Sequence, residues 1–341
     1  MIGWVVALSW VAVAQEDEAV SRVADSVSVL MDWYNAETGT FESTGWWNSA
    51  NALYTVIDYM ARSNTRTYIQ QVENTFARNQ AGGFLNEFYD DEGWWGLTWL
   101  HAYDLTGDVR YLDMGRSIFA DMVTGWDETC GGGVWWTKER GYKNAIPNEL
   151  FLTLAAKLYN RTQEADYLDW AQRTWAWFRE SGMINDLSLV NDGLENCENN
   201  SGITWTYNQG VILGGLVELY RATGDDSLIV QAQAIADAAI TLIVEDGILR
   251  EPCELAFNCG ADGPQFKGIF MRHLRSLYDV TGEERYWAFI MTNADSIWEH
   301  AQNDAGQFGL RWGARFDRAD AARQSSALDA LLVAIPAHET V

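Results

Sequence analysis

A chain of 341 residues, 48% apolar and 21% charged, carries enough apolar material for one large core and reads as folded and globular rather than disordered. Its formal net charge of −25 repels polyphosphate and anionic lipid, which argues against nucleic acid as a partner and against stable membrane association. With only four prolines and no Gly/Ser tract to mark a linker, residues 15–341 are expected to form a single domain and a monomer.

The chain opens on MIGWVVALSWVAVAQ, an apolar run too short to span a bilayer, followed by the small-x-small pattern Ala12-Val13-Ala14. Residues 1–14 are therefore expected to be a signal-peptide remnant, although no Lys or Arg precedes the run. Apolar spacing of three to four then predicts helices over 17–33, 46–62, 65–78, 92–106, 109–124, 146–161, 166–181, 206–222, 226–243, 268–280, 284–301 and 322–334.

A phrase recurs where these stretches meet: AYDLTGDVRYLDMG at 102–115, LYNRTQEADYLDWA at 158–171, LYRATGDDSLIVQA at 219–232 and LYDVTGEERYWAFI at 277–290. Its tyrosines, Tyr103, Tyr159, Tyr220 and Tyr278, are spaced by 56, 61 and 58 residues, and Tyr59, 44 residues earlier, is a candidate start of the series. In Thr-Gly-Asp, Gly can end one helix and Asp can cap the next, so each unit is a helical hairpin with a short turn. The links between hairpins, such as 125–145, 182–205 and 244–267, are long and rich in Gly, Trp, Asn and Asp. Six hairpins whose short turns and long loops lie at opposite ends predict an all-α (α/α)6 barrel with the functional face on the long-loop rim. An open α-solenoid and a smaller helical bundle are the alternatives.

Four cysteines, Cys130, Cys197, Cys253 and Cys259, suit an oxidising compartment and allow three pairings. Cys253 and Cys259 could close a short loop, leaving Cys130 with Cys197. His101, His273, His300 and His338 show no ligand spacing, so no metal is expected. Asn160 and Asn199 head glycosylation sequons.

The 18 tryptophans include the doublets Trp46-Trp47, Trp94-Trp95 and Trp135-Trp136, beside glycines and acids. An indole offers a broad apolar plate and one N–H donor, which matches the CH face and hydroxyl edge of a pyranose. The same rings also serve as core filling. Asp90 and Asp91 stand in Phe88-Tyr89-Asp90-Asp91-Glu92-Gly93-Trp94-Trp95, at the entry to a helix. One Asp there is explained by capping and the helix dipole; two followed by Glu92 exceed what a cap requires. Glycoside cleavage needs one carboxyl to protonate the leaving oxygen and another as nucleophile or base. Adjacent residues reach the roughly 5–5.5 Å separation of retaining enzymes more easily than the roughly 6.5–9.5 Å of inverting ones.

Asp90-Asp91 followed by Trp94-Trp95, together with CGGGVWW at 130–136, YKNAIPNELFLTLAAKLY at 142–159, TYNQGVILGGLVELYRATGD at 206–225 and FKGIFMRHL at 266–274, resembles glycoside hydrolase family 76 over nearly the whole chain. That family contains endo-α-1,6-mannanases and fungal cell-wall mannosidase-like transglycosylases. The resemblance implies an (α/α)6 catalytic domain, retaining chemistry on α-mannan or manno-oligosaccharides, no metal or organic cofactor, and an extracellular or cell-wall location. It also implies Asp90 as nucleophile and Asp91 as general acid/base. Transfer of mannan to another sugar is the enzymatic alternative, and a non-catalytic mannan-binding protein is the alternative of a different class.

The expected sugar-binding residues are Trp94, Trp95, Trp135 and Trp136 as stacking plates. Lys143, Asn144, Asn148, Glu149, Tyr207, Asn208, Gln209 and Lys267 are expected to meet hydroxyls from helix starts.

Overall fold

The structure, a computed structural model, describes residues 20–256 and 258–335. The expected signal peptide therefore lies outside the described residues. Twelve helices are seen among those described: α1 at 20–31, α2 Trp46–Arg62, α3 Ile69–Asn79, α4 Tyr89–Thr106, α5 Val109–Thr124, α6 Ala145–Thr162, α7 Ala165–Glu180, α8 Thr206–Thr223, α9 Asp226–Leu242, α10 Gly263–Thr281, α11 Glu284–His300 and α12 Ala321–Val333. Three small antiparallel pairs lie in the connecting loops, β1–β2 (Tyr34–Asn35, Thr40–Phe41), β3–β4 (Leu194–Glu195, Glu198–Asn199) and β5–β6 (Val244–Glu245, Ile248–Leu249).

The repeated turn works as its residues dictate. Gly107, Gly224 and Gly282 take left-handed φ values of 72°, 71° and 65°, and each donates its N–H to the carbonyl of the preceding Tyr103, Tyr220 or Tyr278 at 2.7 Å. Gln163 fills the same place at φ 60°, bonded to Tyr159. Asp108 and Asp225 then cap the next helices by accepting from the N–H groups of Arg110 and Ser227.

The even-numbered helices contact one another in the order α2, α4, α6, α8, α10, α12 and back to α2, which closes an inner ring. Each inner helix packs against its own outer partner, α3, α5, α7, α9 or α11. Helix α1 serves α12, where the Gln324 amide donates to the Ser26 carbonyl at 3.0 Å. The fold is the expected (α/α)6 barrel. Inner helices such as α6 and α8 are buried almost throughout, because they meet two inner neighbours and an outer helix. Outer helices show one apolar stripe and a charged face.

Polar side chains seal the ring where its last and first members meet. Arg272 on α10 bonds both Asp329 on α12 (2.7 Å) and Asn51 on α2 (2.8 Å), while Thr55 on α2 donates to the other Asp329 oxygen at 2.7 Å. Aromatic packing fills the space between α4 and its surroundings, with Trp95, Trp99, Phe84 and Tyr111 all buried and ring centroids 4.7–5.8 Å apart. Burial of each such ring contributes about 2–3 kcal/mol.

Helix boundaries depart from expectation by two or more residues at four places. Helix α1 ends at 31 and not 33, and residues 17–19 lie outside those described. Helix α3 starts at Ile69, since Thr65 and Thr67 bond each other in a turn. Helix α4 begins at Tyr89, three residues early, and α10 begins at Gly263, where Pro264 suits a first turn that needs no N–H donor.

Candidate active site

The early start of α4 sets the site. Asp90 and Asp91 are its second and third residues, inside the first turn rather than in the loop before it. Neither caps the helix; the extended Phe88 is the N-cap and carries no capping side-chain bond. Both carboxyls instead line a cleft of about 540 Å³ on the long-loop rim, walled by Trp47, Phe88, Trp94, Trp136, Tyr142, Asn144, Asp192, Tyr207, Asp262 and Phe266.

Four inner helices deliver this lining from their first turns: Trp47 from α2, Asp90 and Asp91 from α4, Tyr207 from α8 and Phe266 from α10. The rings form a connected surface. Tyr207 stacks on Phe266 at 3.9 Å and lies 6.3 Å from Trp94, and Trp47 stands 5.6 Å from Trp94 and 6.0 Å from Phe266. Tyr142 donates to Asp192 at 2.6 Å and accepts from the Asn200 amide at 2.8 Å, which fixes that wall.

Burial and mutual charge displace both carboxyls of the pair from their ordinary range. Burial first, and the neighbouring Asp91 second, push Asp90 up to about 8, against the pull of the Trp136 indole N–H 2.9 Å from its Oδ2. Its Oδ1 has no partner. Burial also pushes Asp91 up to about 6, opposed by the Asn86 amide at 2.6 Å and reinforced by the charge of Asp262. Two adjacent carboxyls titrate as a pair: the first proton leaves near 6 and the second near 8, so Asp90 and Asp91 together hold one proton near neutrality. One acid and one carboxylate is the protonation state that glycoside cleavage requires.

Of the expected sugar contacts, Trp94, Trp136, Asn144 and Tyr207 line the cleft. Asn144, the N-cap of α6, points an unpartnered Oδ1 that can accept a hydroxyl. The other eight are not among the residues that line the cleft. Trp95 is wholly buried among Trp46, Phe84 and Trp99. Trp135 donates to Asp127 at 2.8 Å, beneath the Lys143 ammonium. Lys143 itself is bonded to Asp127 and to the carbonyls of Thr129 and Gly132, so it holds its own loop.

Lys267 is spent on Glu254 (2.6 Å) and the Leu310 carbonyl (2.7 Å). The amides of Asn148 and Gln209 clamp the N–H and C=O of Val134 and Val190, as Gln324 accepts from the Phe308 N–H. A side-chain amide matches a peptide group as well as it matches a diol, and the barrel uses it to pin each long loop to a helix. Glu149 and Asn208 are fully buried below the cleft, their polar atoms unpartnered, and burial pushes Glu149 well above the usual carboxylate range.

Sequence reading missed Trp47, Phe88, Tyr142, Asp192, Asp262 and Phe266 as site residues. A usable signal existed: Trp47, Asp90 and Tyr207 are each the second residue of an inner helix. Each tryptophan doublet splits, with Trp47, Trp94 and Trp136 in the cleft and Trp46, Trp95 and Trp135 supporting it. The disulfides are Cys130–Cys197 and Cys253–Cys259. Both sequon amides are engaged, Asn160 with Glu218 and Asn199 with Gly182 and Asn191. Among the described residues no group of His, Cys, Asp or Glu is arranged to hold a metal, and no helix is long and apolar enough to cross a membrane.

A closed (α/α)6 barrel with an adjacent carboxyl pair in an aromatic rim cleft is the architecture of a helical-barrel glycoside hydrolase. The chain belongs to glycosyl hydrolase family 76, whose family model matches residues 18–339. It is 28% identical to the mannan endo-1,6-alpha-mannosidase DCW1 of Eremothecium gossypii, over 79% of this chain and 66% of that protein. The chain thus spans just under two thirds of that relative's length. Its fold matches the Lin0763 protein of Listeria innocua with a TM-score of 0.84 and 27% identity, covering 93% of this chain and 96% of that one. It likewise matches an inactive variant of the α-1,6-mannanase GH76A of Salegentibacter sp. HEL1_6, with two consecutive aspartates changed to alanine, in complex with α-1,6-mannotetrose (TM-score 0.84, 24% identity, 93% and 98% covered).

Proposed function

We propose that the protein is an extracellular, retaining endo-α-1,6-mannosidase in which Asp90 is the nucleophile and Asp91 the general acid/base. The observation that carries this reading is the adjacent carboxyl pair, sharing one proton, inside a cleft whose walls are indoles and phenols. The names of the relatives supply the linkage, and the consecutive aspartates removed from the inactive mannanase supply a parallel to Asp90 and Asp91.

In the first step Asp91 gives its proton to the glycosidic oxygen while Asp90 attacks C1. The C1–O bond breaks, the shortened chain leaves as an alcohol, and a β-mannosyl ester forms on Asp90. Asp91, now a carboxylate, takes a proton from water as that water attacks C1. The ester bond breaks and the α-configuration is restored. The Trp136 N–H and the first-turn N–H groups of α4 favour ionised Asp90, and the ring surface excludes water from the stacked sugar. If a sugar hydroxyl replaces water in the second step, the same intermediate yields transfer.

Digestion of α-1,6-mannan by the wild type beside Asp90→Asn and Asp91→Asn tests the reading. Each variant should lose at least about 10³-fold in kcat. Azide assigns the roles: Asp90→Asn should release the β-mannosyl azide and Asp91→Asn the α-anomer from a substrate with a good leaving group. Full activity in either variant sinks the assignment, and exchanged anomers would reverse the roles. Lengthened or hybrid oligosaccharides would identify transfer as the main reaction.

A further inference from the structure

Glu92 follows the catalytic pair on the same helical turn, has no solvent exposure, and plays no part in the proposed chemistry. Both its oxygens lack an aligned hydrogen-bond donor, and burial pushes it up to about 8. Its counter-charge is Lys138, whose Nζ lies 2.9 Å from Glu92 Oε1 and 3.0 Å from Asp121 Oδ2 on α5. A carboxyl buried against a lysine at such cost calls for a reason beyond stability, since an apolar residue of similar volume is often as stable.

The reason lies two residues before Lys138. Its own N–H donates to the Glu87 carbonyl at 3.0 Å, Thr137 bridges Phe88, and the Tyr89 N–H donates to the Trp136 carbonyl at 2.9 Å. Segment 136–138 is therefore laid antiparallel along 87–89, and its far end is tied by Lys138 to the first turn of α4. This lacing carries the indole that donates to Asp90.

We infer that the Glu92–Lys138–Asp121 clasp is a positioning device, which holds segment 136–138 so that the Trp136 N–H stays on the Asp90 carboxylate. The inference rests on the reading of Asp90 as nucleophile. Asp91, Tyr207, Asp192, Tyr142 and Asp262 are the other titratable groups of the cleft, and the ion pairs of the clasp join Glu92, Lys138 and Asp121 to one another. A shift on opening the clasp that Trp136→Phe reproduces therefore reports the Trp136–Asp90 bond.

The test compares Lys138→Met, Lys138→Arg and Trp136→Phe with the wild type in kcat and kcat/KM on α-1,6-manno-oligosaccharides across about pH 4–9. A loosened indole no longer favours ionised Asp90, so its pKa rises and the acid limb moves to higher pH. Lys138→Met should move that limb up by about half a unit or more and lower kcat about tenfold. Trp136→Phe should do the same, the double variant should add little, and Lys138→Arg should restore the wild-type profile. A merely structural clasp would lower stability without moving the limb. A folded Lys138→Met with an unmoved limb overturns the inference, as does an unmoved limb in Trp136→Phe. If Lys138→Met does not fold, Asp121→Asn replaces it, where a shift of the same sign supports the clasp and none overturns it. Activity surviving in Asp90→Asn would instead sink the underlying reading.

Discussion

Trp47 donates its indole N–H to Asp262 Oδ1 at 2.8 Å, joining residues 215 positions apart at the starts of α2 and α10. The bond holds Trp47 between Trp94 and Phe266, and it sets a third carboxylate close enough to the pair to raise Asp91. One residue thus orders the ring surface and raises Asp91.

Asp262→Asn separates these two effects, because the amide oxygen still accepts from Trp47 while the charge is lost. Without that charge the ionised form of Asp91 becomes easier to reach, so its pKa falls. The proposed general acid must be protonated to act, so the alkaline limb of kcat/KM should move to lower pH by about half a unit. An alkaline limb that stays in place, measured in pH–rate profiles, would refute this coupling.

The same shifts have a consequence for stability. Asp90 and Asp91 have folded values of about 8 and about 6, above their ordinary 3.8. The folded state therefore binds more protons than the unfolded state between these limits. Their favourable contribution is complete below about pH 4 and is lost as pH rises through the folded values. Asparagine carries no such cost. Asp90→Asn and Asp91→Asn should each be more stable than the wild type by about 1–3 kcal/mol at pH 8, with the gain vanishing near pH 4. Chemical denaturation at the two pH values checks this, and equal stability at pH 8 would contradict the assigned shifts.

The barrel was legible because its signal is local and repeated. Tyr-x-x-Thr-Gly-Asp in the 102–115 and 219–232 units writes a helix end and a new start within six residues, and Gly107 and Gly224 behave accordingly. The catalytic candidates were legible because two acids exceed the need of a cap. The rest of the cleft was not. Successive helical residues point about 100° apart, so Trp94-Trp95 marks a doublet without saying which ring faces the cleft. Asn148, Gln209 and Lys267 bond loops distant in sequence, and the residue types suit a sugar equally well. Asp192 and Asp262 sit in long loops whose course depends on the disulfides and on those same clamps.

Ring closure supplies a prediction that depends on no catalytic assignment. Helices α10 and α12 approach closely at Gly268, where an added Cβ would lie 2.4 Å from the Ser326 carbonyl oxygen and 2.6 Å from its Cα. Both atoms are backbone, so no side chain can swing away, and the helices must separate. Alanine gains about 1 kcal/mol over glycine in a helix interior, but overpacking against backbone costs about 1–3 kcal/mol or more and also lengthens the bond from the Gly268 N–H to Ser326 Oγ, now 2.9 Å. The crowding term wins, and Gly268→Ala should destabilise by about 2 kcal/mol. Ser326→Ala loses the same bond without crowding and should cost about 1 kcal/mol or less. Phe266 stands two residues before the strained contact and lines the cleft, so Gly268→Ala should also raise KM for manno-oligosaccharides while Ser326→Ala leaves it nearly unchanged. Denaturant midpoints and kinetics of both variants decide it. A Gly268→Ala protein as stable as the wild type would mean that the ring is not packed as tightly at this contact as these distances require.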